Sequence, residues 1–145
     1  MNLELFFNFD GNCREAVAFY AKVFKSEVKN LMTFGQAPPD PNFPLQEADR
    51  DKLMYADVKI GGVTVMFMDM PSGFPLVAGN NINPTISMDS KEEVERIFNE
   101  LKDGGEVSME LQQTFFSELY GMVKDKFGII WQILYYKREE CEKEN

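Results

Sequence analysis

A chain of 145 residues, 44% of them hydrophobic, has the length of one domain and enough apolar material for a proper core. Its 24 acidic residues against 15 basic ones leave a formal charge of −9, which repels nucleic acid and anionic membrane surfaces, since both are bound through basic patches. Histidine is absent, which removes the commonest metal ligand and the commonest acid–base catalyst together.

Cysteine is limited to Cys13 and Cys141, neither in a metal-type cluster, and a disulfide between them is not expected in a reducing compartment. No charged-then-apolar leader opens the chain, and no apolar run approaches the ~18 residues needed to cross a bilayer. The expectation is a soluble, cytoplasmic protein. Thirteen phenylalanines must mostly fill a core, but so many flat side chains also suit the wall of an apolar ligand cavity.

Asn2–Phe9 opens with Leu3, Leu5 and Phe7 alternating against Asn2, Glu4 and Phe6, the period of a strand. Asp10-Gly11 breaks it. Asn12 stands three residues before Glu15, the spacing of a helix cap with a reciprocal acidic partner. Ala16, Val17, Tyr20, Val23 and Phe24 then recur at helical spacing, which predicts a helix over Cys13–Phe24. Glu27–Phe34 reads as a second strand.

Gly35–Lys52 holds four of the seven prolines and reads as a long loop. It suits a ligand lid, a dimer-contact arm or a plain surface excursion. Leu53–Ile60 and Val63–Met68 form a hairpin across Gly61-Gly62, and Asp69 to Gly73 ends it.

The plan then repeats. Pro84–Met88 is a short strand, and Ser90 followed by Glu93 is a second capping box. Val94, Ile97, Phe98 and Leu101 form the apolar stripe of a helix that stops at Asp103-Gly104-Gly105. Glu106–Leu111, Leu119–Lys124 and Ile129–Tyr136 are strands. The last two are joined by a turn whose Gly128 suits a positive φ, and a charged tail runs from Arg138 to Asn145. The order is strand, helix and three strands, twice over, and neither half looks able to bury its sheet alone, so the halves are expected to pack as one unit.

Specific segments carry a resemblance. They are Leu5-Phe-Phe-Asn-Phe-Asp-Gly-Asn-Cys-Arg-Glu-Ala16, Phe19-Tyr20, Phe24-Lys-Ser-Glu27, Ile60-Gly-Gly62, Met68-Asp69, Thr114-Phe-Phe-Ser117, and Tyr120-Gly-Met-Val-Lys-Asp-Lys-Phe-Gly-Ile-Ile-Trp131. Spanning nearly the whole chain, they resemble the PhnB-like, demethylubiquinone methyltransferase-like branch of the vicinal oxygen chelate superfamily, which includes glyoxalase I, extradiol dioxygenases and bleomycin-resistance proteins. The resemblance implies an α+β fold of two paired βαβββ modules forming a curved mixed sheet, and it implies a homodimer.

It also implies a divalent metal held by His and Glu from the first and fourth strands of each module. Those strands offer Phe7 or Asn8 with Met66, Phe67 or Met68, and Asn83 or Thr85 with Gln132. Tyr55 stands where many relatives carry a histidine. Neutral amides and hydroxyls hold a transition metal poorly, so the reading is metal-free. No glycine-rich strand-to-helix turn supports a nucleotide-like cofactor, so none is expected.

The candidate ligand-binding residues are Phe7, Phe34, Tyr55, Met66, Met68, Asp69, Phe115, Phe116, Met122 and Gln132. Gln132 could orient a polar ligand group within an apolar wall, or satisfy a neighbouring backbone group. Tyr55 could donate a hydrogen bond, and the methionines and phenylalanines could form a deformable lining. Asp69 is alternatively a strand-end turn residue. Trp131 is read as core, and Cys13 as a small first-turn residue, with a dipole-activated thiolate as the alternative. The function this favours is binding of a small, partly apolar molecule. The alternatives are a lyase, isomerase or dioxygenase with an atypical metal site or with Tyr55–Asp69 acid–base chemistry, and a module whose dimer surface is what matters.

Overall fold

The computed structural model describes residues 1–138, so Cys141 and nearly all of the charged tail lie outside the described residues. The chain divides after Val77 into two compact units, each with the order strand, helix and three strands.

In the first unit β1 (Leu5–Phe9) lies parallel to β4 (Val63–Asp69), and β4 and β3 (Leu53–Ile60) form the antiparallel hairpin that reaches β2 (Val28–Thr33). Gly61 takes φ +59° at the hairpin turn, as the Gly-Gly pair requires. Helix α1 (Cys13–Val23) covers one face, where Cys13, Ala16, Val17, Tyr20 and Val23 are buried. Beneath it Tyr20 stacks on Phe67 with centroids 5.7 Å apart, and Phe9 stacks on the same ring at 6.1 Å. Each fully buried ring contributes about 2–3 kcal/mol by its area alone.

The start of α1 differs from expectation. Asn12 is the N-cap residue but makes no side-chain cap bond. Its role falls to Asp69, 56 residues beyond Cys13, whose Oδ1 accepts from Cys13 N at 2.9 Å while its Oδ2 accepts from Leu53 N at 3.0 Å. One carboxylate, 1% exposed, therefore joins the end of β4 to the start of α1 and the start of β3. The other end of α1 closes in a Schellman turn: Ser26 N donates to Ala21 O at 2.9 Å and Lys25 N to Lys22 O at 3.3 Å. Lys25, at φ +49°, occupies the left-handed position where glycine is usual.

The Pro-rich stretch is closed at its base. Phe34 N donates to Lys52 O and Gly35 N to Arg50 O, and short 3-10 turns occupy Phe34–Gln36 and Glu47–Asp49. Buried Asp49 accepts from Ser72 N and Oγ and pairs with Lys52 at 3.0 Å. Burial raises its pKa, but the Ser72 bonds and Lys52 outweigh that and hold it below the usual carboxylate value.

In the second unit the sheet order is β5 (Thr85–Met88), β8 (Ile130–Tyr135), β7 (Tyr120–Lys124) and β6 (Glu106–Gln112), with β5 and β8 parallel. Helix α2 (Lys91–Lys102) starts as its sequence predicts, Ser90 Oγ accepting from Glu93 N at 3.3 Å, although the Glu93 carboxylate engages Arg96. Val94, Ile97, Phe98 and Leu101 are all buried. Phe98 presses on the backbone of β7 at Gly121, where an added Cβ would lie 2.8 Å from its ring.

The β7–β8 turn is built around Asp125, 3% exposed, which accepts from the backbone N–H groups of Phe127 and Ile129 and from Trp131 Nε1, each at 2.9–3.0 Å. Gly128 takes φ +92° as expected, and Trp131 is core.

Replacing Asp69 by Ala strands two buried N–H groups and should lower unfolding free energy by about 2–4 kcal/mol in urea titrations. Asn12→Ala should change it by less than about 0.5 kcal/mol. A large loss in Asn12→Ala with little in Asp69→Ala would show that the cap has been assigned to the wrong residue.

Candidate functional site

Each sheet has one helix and therefore one covered face; the other face carries the candidate residues. In the first unit the pairing Phe6↔Met66, Asn8↔Met68 and Asp57↔Met66 puts these side chains on the face opposite α1, and the alternation of β3 places Tyr55 there with Asp57. Met66 and Met68 are half-buried there, as is Tyr55.

Asp57 is buried and accepts from Asn30 Nδ2 at 2.7 Å, with Asn30 itself in the left-handed region at φ +55°. Burial raises the Tyr55 pKa above its ordinary value, and the Asp57 charge, the hydrogen bond to Asp57 and Glu4 raise it further. Tyr55 is thus a neutral hydrogen-bonding phenol and a poor base.

The second unit repeats the theme with different residues. The Tyr120 hydroxyl donates to Gln132 Oε1 at 2.9 Å, and Gln132 Nε2 reaches Asn83 Oδ1 at 3.5 Å. Met122 is the cross-strand neighbour of Gln132, and Thr85 pairs with it on the other side. Each unit therefore sets a tyrosine of its third strand near a polar side chain and methionine on the open face, and in the second unit the two are hydrogen-bonded.

Several sequence candidates lie elsewhere. Phe7 faces α1, edge-on to Tyr20 at 6.2 Å and to Phe67 at 5.6 Å, and is 8% exposed, because the strand's alternation turns Phe6 rather than Phe7 to the open face. Asp69 also lies on the helix side, occupied by two backbone N–H groups, so it does not meet Tyr55 and the two form no acid–base pair. Phe34 is half-buried at the base of the Pro-rich loop.

Phe115 and Phe116 lie between β6 and β7, 101% and 55% exposed, with Phe116 edge-on to Tyr120 at 5.0 Å. Their turn is fixed by Thr114 and Ser117, the Ser117 hydroxyl donating to Tyr135 O at 2.6 Å. Asp57, Asn30 and Tyr120 were not singled out from sequence. The signal available for Asp57 was an acidic residue inside an apolar strand, two positions from Tyr55 and so on the same face.

The donors on the open faces of the first and fourth strands include Asn8, Met66 and Met68 in the first unit and Thr85 and Gln132 in the second, and in either unit amide, thioether and hydroxyl groups do not fit a divalent transition metal. Among the described residues no three His, Cys, Asp or Glu side chains gather as a ligand set.

Cys13 is fully buried, and its thiol pKa is pushed up to about 12, first by burial and then by the Asp69 carboxylate, against a small opposing effect of Arg14. The helix dipole does not activate it.

The chain is similar to known proteins along nearly its whole length. The family model for 3-demethylubiquinone-9 3-methyltransferase matches residues 2–134. Protein YjdN of Escherichia coli K12 is 34% identical over 98% of this chain and 100% of its own length. Among solved structures, protein PA1353 of Pseudomonas aeruginosa shows 30% identity and a TM-score of 0.85 over 94% of this chain and 98% of its own. The PhnB protein of Bacillus cereus shows 24% identity and a TM-score of 0.73 over 94% and 100%. The fold is that of the glyoxalase/bleomycin resistance/dioxygenase superfamily. Within it, the chain belongs to the PhnB-like family matched by the 3-demethylubiquinone-9 3-methyltransferase model.

In a Cys141→Ser variant, Cys13 should stay silent to a disulfide reagent at pH 8, where a thiol of pKa near 12 is ionised to only about one part in 10⁴. The same thiol should react at once in urea. Rapid stoichiometric reaction of the native protein would restore the activated-thiolate reading.

Proposed function

We propose that the chain binds a small, partly apolar organic molecule on the open sheet faces, with methionines as the adaptable lining and the tyrosine-centred pairs as the orienting groups. The observation that carries this reading is that each open face sets a half-buried or buried tyrosine beside a polar side chain and methionine: Tyr55 two positions from Asp57 with Met66 and Met68, and Tyr120 hydrogen-bonded to Gln132 with Met122. A few placed polar groups in an apolar wall are what small-molecule sites use. The donor set of the first and fourth strands supports binding without a metal ion.

Assembly as a homodimer belongs to the same proposal. Phe43, Phe74, Val77, Ile82 and Phe115 are all more than half exposed, an apolar inventory that a second copy could cover. No helix among the described residues is long and apolar enough to cross a membrane.

Native mass spectrometry of freshly purified, untagged protein tests both parts. The expected species is twice the 16.7 kDa chain mass, carrying a further few hundred daltons that is lost on denaturation. Gln132→Ala should reduce ligand occupancy at least fivefold with an unchanged urea midpoint. A bare 16.7 kDa chain would overturn both parts, and undiminished occupancy in Gln132→Ala would remove Gln132 from the site.

A further inference from the structure

The open face of the first unit continues past Met66 into a depression of about 450 Å³ lined by Lys25, Ser26, Glu27, Lys29, Asp57, Lys59 and Thr64. The register makes the continuity explicit. Asp57 pairs with Met66 and with Lys29, and the next residues on the same face, Lys59 and Thr64, pair with each other. The Tyr55–Asp57 pair and the depression therefore adjoin along β3.

Three lysines around one depression are unexpected in a chain of net charge −9. None of them forms an ion pair among the described residues, whereas Lys52, Lys91, Arg50 and Arg96 all do. Asp57 accepts from the neutral amide of Asn30 and keeps its charge, so Glu27 and Asp57 together oppose the three lysines and leave the lining one net positive charge. Lys25 is held at the left-handed position of a Schellman turn that glycine fills at lower cost. A cation at a helix C-terminus is favoured by the dipole, which is reason enough for a lysine near that position but not for one at a positive φ.

We propose that this depression receives the oxyanionic end, phosphoryl or carboxylate, of the molecule whose apolar part lies over Met66 and Met68. Lys25, Lys29 and Lys59 supply the charge, and the Ser26 and Thr64 hydroxyls donate hydrogen bonds. The proposal rests on the reading of this face as the ligand site, and it narrows the ligand to an acidic, partly apolar molecule.

The test is an amide NMR titration of the full chain at constant ionic strength, first with inorganic phosphate and then with phenyl phosphate. Phosphate should give saturable shifts over residues 25–30 and 59–64, weakened at least fivefold in each of Lys25→Gly, Lys29→Gln and Lys59→Gln. Lys25→Gly is the decisive variant, because glycine suits its backbone and the fold should be retained or stabilised. Phenyl phosphate should bind at least fivefold more tightly than phosphate and extend the shifts to Tyr55 and Met66.

Phosphate binding without that gain would leave the anion subsite standing and overturn the apolar reading of the face. Phenyl phosphate shifts at Tyr55 and Met66 that ignore the lysine variants would do the reverse. Shifts linear in concentration and equal in all variants would overturn the subsite outright. Benzoate, run in parallel, tells a carboxylate preference from a phosphoryl one.

Discussion

One helix can cover only one face of a four-stranded sheet, and everything of functional interest here follows from that shortage. Each unit spends its aromatic and β-branched residues on the covered face: Phe9, Tyr20 and Phe67 under α1, and Phe98, Trp131 and Ile133 with α2. The other face is left half-buried, too apolar to be a solvated surface and too polar to be a core. Methionine, tyrosine and amide side chains are the residue types that tolerate such a boundary, since each has an adaptable or amphipathic body.

Buried aspartates tie together the ends of the elements in each unit. Asp69 and Asp125 do the same work in the two units, each collecting N–H donors from segments that would otherwise fray. The backbone and indole N–H groups they accept from tie each carboxylate into the fold. Asp57 differs from those two, because it accepts from the side chain of Asn30 and lies on the open face.

Local chemistry was legible in the sequence and long-range chemistry was not. The Ser90 cap, the Gly61 and Gly128 turns and the stripe of α2 each depend on residues within a few positions, and all are where the sequence places them. The capping of α1 was misread because Asn12 has the right type and spacing, while the acceptor that serves the helix arrives from the end of β4. Phe7 is a candidate only through the resemblance, whose first-strand position is Phe7 or Asn8, and of two adjacent strand residues only Asn8 has the parity of the open face. The lysines of the depression lie on the α1–β2 connection, β2 and β3, so their convergence emerges only once the register is known.

The contact between Phe98 and Gly121 has a consequence for how this chain can change over time. A Cβ at 121 would meet the Phe98 ring at 2.8 Å, Leu111 at 3.0 Å and the Met109 carbonyl at 3.1 Å, so a change at 121 is coupled to the side chain at 98 and to its neighbours on β6. The two sites, on different elements and 23 positions apart, are therefore linked through one packing contact. In a lineage of such chains they are expected to drift as a pair, leaving a trace of the three-dimensional packing in sequences compared side by side.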